Sequence, residues 1–295
     1  MRLFRWSIVA ALCVATPAFG FWQSRLQVSV GTVTGYQGPG DVFASAFAWY
    51  SCARGYTASY AASGTGSACD VVDTATGLVT CTYHIKTSGF VDPTECNGVG
   101  QSCATACKVK KAYDQSGNTH DASQATLANM PTLTFSSTPT GTLPAMTFNG
   151  TSQQLLTGNV TQAQPITMSA VLDRTTVQAG GVIGASSMAL GSPAGANLAQ
   201  VNAGSGLTAA AADNAWHSVQ GLLNTATSAI NIDGSETTGG VGTGTISAQP
   251  IILGRPLFIF FAGNVAEAGI WGSTSNSTNR NALSANQHGT SGYNF

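Results

Sequence analysis

The chain has 295 residues, only 8% of them charged, and a formal net charge of -1. Without a basic stripe, that balance argues against a nucleic-acid partner. Gly, Ser, Thr, Ala and Asn are abundant, as in exported β-proteins with long polar turns, and the length fits one large β-sandwich.

In chain order, "MRLFRWSIVAALCVATPAFG" comes first. Arg2 and Arg5 precede a short apolar run, and Ala18 and Gly20 close it in a small-x-small pattern. This layout predicts a cleavable signal peptide over residues 1–20, since a membrane span needs ~20 apolar residues. A later apolar stretch, "PIILGRPLFIFFAG", is broken by Arg255 and Pro256, so no membrane span is expected after cleavage. The expected location is outside the cytoplasm: secreted, periplasmic or at the cell surface. Residues 21–37 read as a lead-in arm, either a strand or a contact for a partner. Residues 38–295 read as one domain.

After "GPGD", Asp41 is a candidate N-cap. Phe43, Phe47, Tyr50 and Arg54 then fall at helical spacing, which predicts one N-terminal helix with an aromatic stripe in the core. From residue 69 the pattern turns to strands, expected at 70–73, 78–85, 108–113, 132–135 and 145–148. The second half is more regular. "PITMSAVLDR", "WHSVQGLLN", "SAINIDGSE" and "FAGNVAEAGIW" alternate or run apolar between turns. That rhythm predicts an antiparallel sandwich or jelly roll. "NSTNRNALSANQ" reads as a short capping helix.

Apart from Cys13, the cysteines are Cys52, Cys69, Cys81, Cys96, Cys103 and Cys107. An even set in an exported chain implies disulfides in the first half of the domain. A turn at residues 74–77 suggests Cys69–Cys81 across a hairpin. Cys103–Cys107 closes a small loop, which leaves Cys52–Cys96 by elimination. The spacing fits zinc poorly, with no CxxC pair.

Two sets of residues carry a family resemblance. "GPGD", "ARGYTASY", "CDVVDTATG" and "CKVKKAYDQSGNTHDASQAT" resemble the catalytic domain of α-L-arabinofuranosidase B. "WHSVQGLLNTATSAINIDGS" with "FAGNVAEAGIW" is similar to laminin-G and other concanavalin A-like lectin domains. The resemblance implies an all-β, concanavalin A-like sandwich with a short N-terminal helix. It also implies a retaining hydrolase with two carboxylates ~5–5.5 Å apart. In the alignment, "SSMALG" occupies the place of the family's nucleophilic glutamate, with Ala189 at that position. "GRPLFIFFAG" occupies the place of the general acid and has no carboxylate before Glu267. The family's adjacent pair of cysteines is missing as well. An alanine cannot replace a carboxylate nucleophile.

Several residues remain as site candidates. Glu267 is the catalytic candidate if the chain is an enzyme. On a regularly alternating strand it would share a face with Val265 and Gly269. Trp271, His217, Asp173 and Asn264 are candidate carbohydrate contacts, with Trp271 either a stacking platform or core. Asp114, Asn118 and Asp121 read as a Gly-centred turn or, less simply, as part of a Ca²⁺ loop, although the complete EF-hand series is absent. No cofactor is otherwise expected. Three functions fit this reading. The first is a lectin-like glycan binder without hydrolase activity. The second is an active α-L-arabinofuranosidase acting on arabinose-containing polysaccharide. The third is a structural or host-recognition part of a larger assembly such as a phage particle.

Overall fold

The computed structural model describes residues 35–74, 78–96, 103, 107–135, 143–290 and 292–295. The expected signal peptide and most of the lead-in arm lie outside these residues. The described part is almost wholly antiparallel β-structure, with eighteen strands and three α-helices.

Two layers organise the second half. One runs from Ala48–Ser51 through Ala262–Trp271, Ile166–Arg174, Trp216–Leu223 and Ser228–Ile232 to Ser235–Gly239. The other runs from Leu155–Gln162 through Ile246–Leu253, Gly180–Ala185, Met188–Ser192 and Leu198–Asn202 to Gly206–Ala210. Apolar side chains at alternate positions fill the space between them. Met168, Ala170, Leu172, Val265, Ala268 and Ile270 from the first layer meet Ile183, Leu190, Val201 and Leu253 from the second. Strands of the first half (Gly66–Asp73, Val79–Ile85, Cys107–Ala112, Thr132–Thr134, Ala145–Asn149) continue the sheet by way of Ala262–Trp271.

The central strands of the first layer are buried on both faces. Every residue of Ala262–Trp271 is buried, as is nearly all of Ile166–Arg174. Its outer face lies beneath the helix Ser277–His288 and Tyr293. That helix matches the expected capping helix. Asn276 caps it by accepting from Asn279 N, and Asn279 reciprocates.

Three expectations are corrected. No helix runs through residues 43–54, where the aromatic spacing placed one: short helices at Pro39–Val42 and Ala58–Ala62 flank the strand Ala48–Ser51. The helical spacing of the aromatics misled because this strand is buried on both faces, so Trp49 and Tyr50 both enter cores. The disulfides are Cys81–Cys96 and Cys103–Cys107. Cys69 pairs with Tyr83 and Cys81 with Val71, so the two are not opposite; a register shift between Val71 and Val72 offsets the pairing further. Cys52 and Cys69 are buried free thiols, so neither Cys52–Cys96 nor Cys69–Cys81 forms.

The third correction concerns Glu267. A β-bulge interrupts the pairing of Ala262–Trp271 with Ile166–Arg174: Val265 pairs with Leu172, Ala266 is passed over, and Glu267 pairs with Val171. Leu172 and Val171 point to opposite faces, and so do Val265 and Glu267. The expected shared face of Val265 and Glu267 is therefore wrong. Val265 enters the interlayer core, and Glu267 turns outward beneath the terminal helix.

Candidate functional site

Under the terminal helix lies a sealed polar network. Glu267 is fully buried and ion-paired to fully buried Arg54, with Nε to Oε2 at 2.5 Å and a second contact at 2.8 Å. Gln287 Nε2 donates to Glu267 Oε1 at 2.8 Å and to Ser169 Oγ at 3.0 Å. Tyr293 OH donates to Oε2 at 3.2 Å, and the Arg54 guanidinium lies 5.3 Å from its ring centre. Burial opposes the charge on Arg54, but the Glu267 carboxylate outweighs that penalty and holds the arginine pKa above its ordinary value. Burial, reinforced by Glu267, likewise raises the Tyr293 pKa. Every Glu267 contact is therefore a positioning contact. A substrate has no approach to its oxygens.

The other carbohydrate candidates do not gather around one cleft. Trp271 is buried in an aromatic cluster, 5.1 Å from the Phe43 ring and 5.7 Å from Trp49, with Nε1 donating to Phe43 O. It presents no face to a ligand, and its reading as a platform is corrected to core. His217 Nδ1 is 2.5 Å from Asp233 Oδ2, and His288 Nε2 approaches the other oxygen at 3.1 Å. Burial disfavours protonated His217, but the bond to Asp233 overrides it and raises the pKa. Burial also opposes ionisation of Asp233, and the histidine overrides it, lowering that pKa. Asn264 Nδ2 donates to Asp173 Oδ2 at 3.1 Å, and burial raises the Asp173 pKa.

The Asp114–Asp121 stretch works as a backbone clamp. Asp114 Oδ1 accepts from Trp49 N and Ser116 N, and Oδ2 accepts from His120 N. Asp121 Oδ1 accepts from Asp114 N, while Oδ2 pairs with Lys111 at 2.7 Å. Asn118 Nδ2 donates to Ala46 O and Phe47 O. These oxygens already serve N–H groups and a lysine, an arrangement suited to fastening the turn to the strand Ala48–Ser51.

An open cavity lies elsewhere, on the outer face of the second layer. It encloses about 230 Å³ and is lined by Gly180, Gly181, Ala189, Gly191, Gln200 and Asn202, with Ser192, Pro256, Leu257 and Ile259 along its edge. The rows are in register: Gly191 pairs with both Gly181 and Gln200, and Ala189 with Asn202. A Cβ on Gly181 would lie 2.3 Å from Pro256 Cγ, so glycine there lets the 256–259 turn fold over the sheet. Gln200 contributes a side-chain amide to the lining. No lining residue carries a titratable side chain. Ala189 and the "PLFI" turn, widely separated in sequence, meet here, and neither brings an acid.

The second-half carboxylates are all engaged elsewhere. Asp213 pairs with Arg174, Asp233 with His217, Glu236 with Arg280, Glu267 with Arg54, and Asp173 with Asn264. The sequence reading named neither Gln200 nor Asn202. Their one signal is position: residues 200 and 202 alternate outward from the interlayer residue Val201.

No family model matches the sequence, and no curated protein matches it. Solved structures do. An arabinofuranosidase complexed with arabinofuranosyl-α-1,2-xylobiose superposes with a TM-score of 0.64 at 17% identity, over 85% of this chain and 64% of its own. A glycoside hydrolase family 54 α-L-arabinofuranosidase soaked with a cyclic sulfate inhibitor gives 0.65 at the same identity and coverage. These neighbours are glycoside hydrolases, and the chain spans just under two thirds of their length. At this identity the likeness is one of fold.

Proposed function

We propose that this chain is an exported, lectin-like carbohydrate-binding protein on an arabinofuranosidase-like scaffold, without hydrolase activity. The observation that carries the reading is the cavity lined by amide, hydroxyl and glycine positions and by no titratable group. Such a lining suits a neutral polyhydroxylated ligand, which needs hydrogen-bond partners and an apolar wall but no counter-charge. Retaining hydrolysis needs a nucleophile and an acid facing one bond. Here Glu267, the catalytic candidate, is held in a sealed ion pair. The ligand named in a structural neighbour makes arabinose-containing glycans the first class to test.

Titration calorimetry with arabinofuranosyl-α-1,2-xylobiose, and release of nitrophenol from 4-nitrophenyl α-L-arabinofuranoside, form the test. Saturable binding without turnover is the expected result. Turnover by the wild-type chain, or absence of binding to any arabinose-containing glycan, overturns the reading.

A further inference from the structure

The turn over the cavity carries a feature that simple glycan binding does not require. Leu257 and Phe258 both adopt positive φ, 56° and 61°, a left-handed region that is costly for residues other than glycine. Pro256, Leu257 and Ile259 line the cavity; Phe258, between the last two in the chain, does not line it but is exposed next to them. Phe258 is 64% exposed and Ile259 43%, two of the few large apolar side chains left open to water among the described residues. Behind them the Arg255 guanidinium lies 5.6 Å from the Phe258 ring centre and 5.5 Å from that of Phe260. A guanidinium between two aromatic faces holds the exposed ring in place and lowers the entropy lost when a ligand covers it.

The cavity itself is small. At about 230 Å³ it falls below the ~300–1,000 Å³ typical of sites that enclose a drug-sized ligand, so it admits a group of about one sugar ring. A braced aromatic face outside a one-ring cavity suits a second ring. A sugar presents C–H groups on one face, which pack against an aromatic ring, while its hydroxyls stay in water.

We propose that Phe258 forms a second sugar-binding platform at the mouth of the cavity, making the ligand a neutral oligosaccharide whose end ring enters the cavity and whose next ring covers Phe258. This inference rests on the glycan-binding reading above and narrows it. The cavity lining itself offers no counter-ion to a charged end ring.

The test measures the affinity of the full chain for L-arabinose, arabinobiose and arabinotriose by calorimetry, for wild type, Phe258→Ala and Phe258→Trp. In wild type the disaccharide should bind about five- to tenfold more tightly than the monosaccharide, with little further gain for the trisaccharide. Phe258→Ala should erase that gain and leave monosaccharide affinity unchanged, and Phe258→Trp should keep it. Phe258 is exposed, so its replacement does not threaten the core. If the gain persists in Phe258→Ala while all the sugars still bind, the platform is refuted and the glycan reading stands. If Phe258→Ala changes only self-association, the exposed ring belongs to an interface between copies and the platform is refuted. If none of the sugars binds wild type, both readings fall.

Discussion

The two layers of the sandwich divide charge and access between them. Beneath the terminal helix, Glu267, Arg54, Gln287 and Tyr293 form a dense polar network that no ligand can enter. On the opposite outer face a cavity is open, and none of its lining residues titrates. A residue type alone therefore says little about function. A glutamate in a strand resembling that of a glycosidase is structural here because its environment seals it, while a glutamine and three glycines help line the accessible cavity.

The sharpest way to break this comparison is at the sealed face. Glu267→Gln leaves Arg54 buried without its counter-charge and should destabilise the fold by about 3–5 kcal/mol in chemical denaturation. A double variant, Arg54→Met with Glu267→Met, should recover much of that loss, because well-packed apolar replacements remove both desolvation penalties. If Glu267→Gln is as stable as wild type but loses glycan binding, the assignment of the two faces is reversed. Trp271→Ala should likewise cost about 3–5 kcal/mol through cavity formation, measured by thermal or denaturant unfolding.

At the open face the expected effects are smaller and of the other kind. Gln200→Ala should weaken glycan binding by about three- to tenfold, the worth of one hydrogen bond, without moving the unfolding midpoint. An unfolding shift of several degrees with unchanged affinity would make Gln200 structural.

The smallest contrast is in pH dependence. The raised pKa of His217 gives stability that is complete below its unfolded value of ~6.5 and lost as pH rises through the raised native value. The lowered pKa of Asp233 gives stability that is complete above ~3.9 and lost as pH falls through the depressed native value. The pair therefore contributes most between about pH 4 and 6.5, and Asp233→Asn should flatten the decline above that window. Glycan affinity should stay level from about pH 5 to 8, since nothing lining the cavity titrates there. A bell-shaped affinity profile would reveal an ionising group at the site.

The sandwich was legible in the second half because "SAINIDGSE" and its neighbours carry strand periods and turn signals that act locally. The terminal helix was legible as the stretch "NSTNRNALSANQ", and its Asn276 cap emerged only in the fold. The strand Ala48–Ser51 was not, because double burial erases alternation and leaves aromatics at a spacing that mimics a helix. The cysteine pairing was obscured by register shifts, which no residue pattern announces. That position 189 carries no acid was legible; that it lines the cavity was not. The polar lining at Gln200 and Asn202 was not, since amides on a glycine-rich strand look like solvated surface until the 256–259 turn is folded over them.

The Arg54–Glu267 pair joins residues 213 positions apart, and Tyr293 reaches Ser51 across 242. Sequence-distant pairings of this kind close slowly, because loop entropy is lost before any contact compensates. Until the C-terminal segment arrives, a guanidinium that ends fully enclosed must remain hydrated, so the first layer cannot dry. Sealing this face therefore depends on the C-terminal segment docking across most of the described chain.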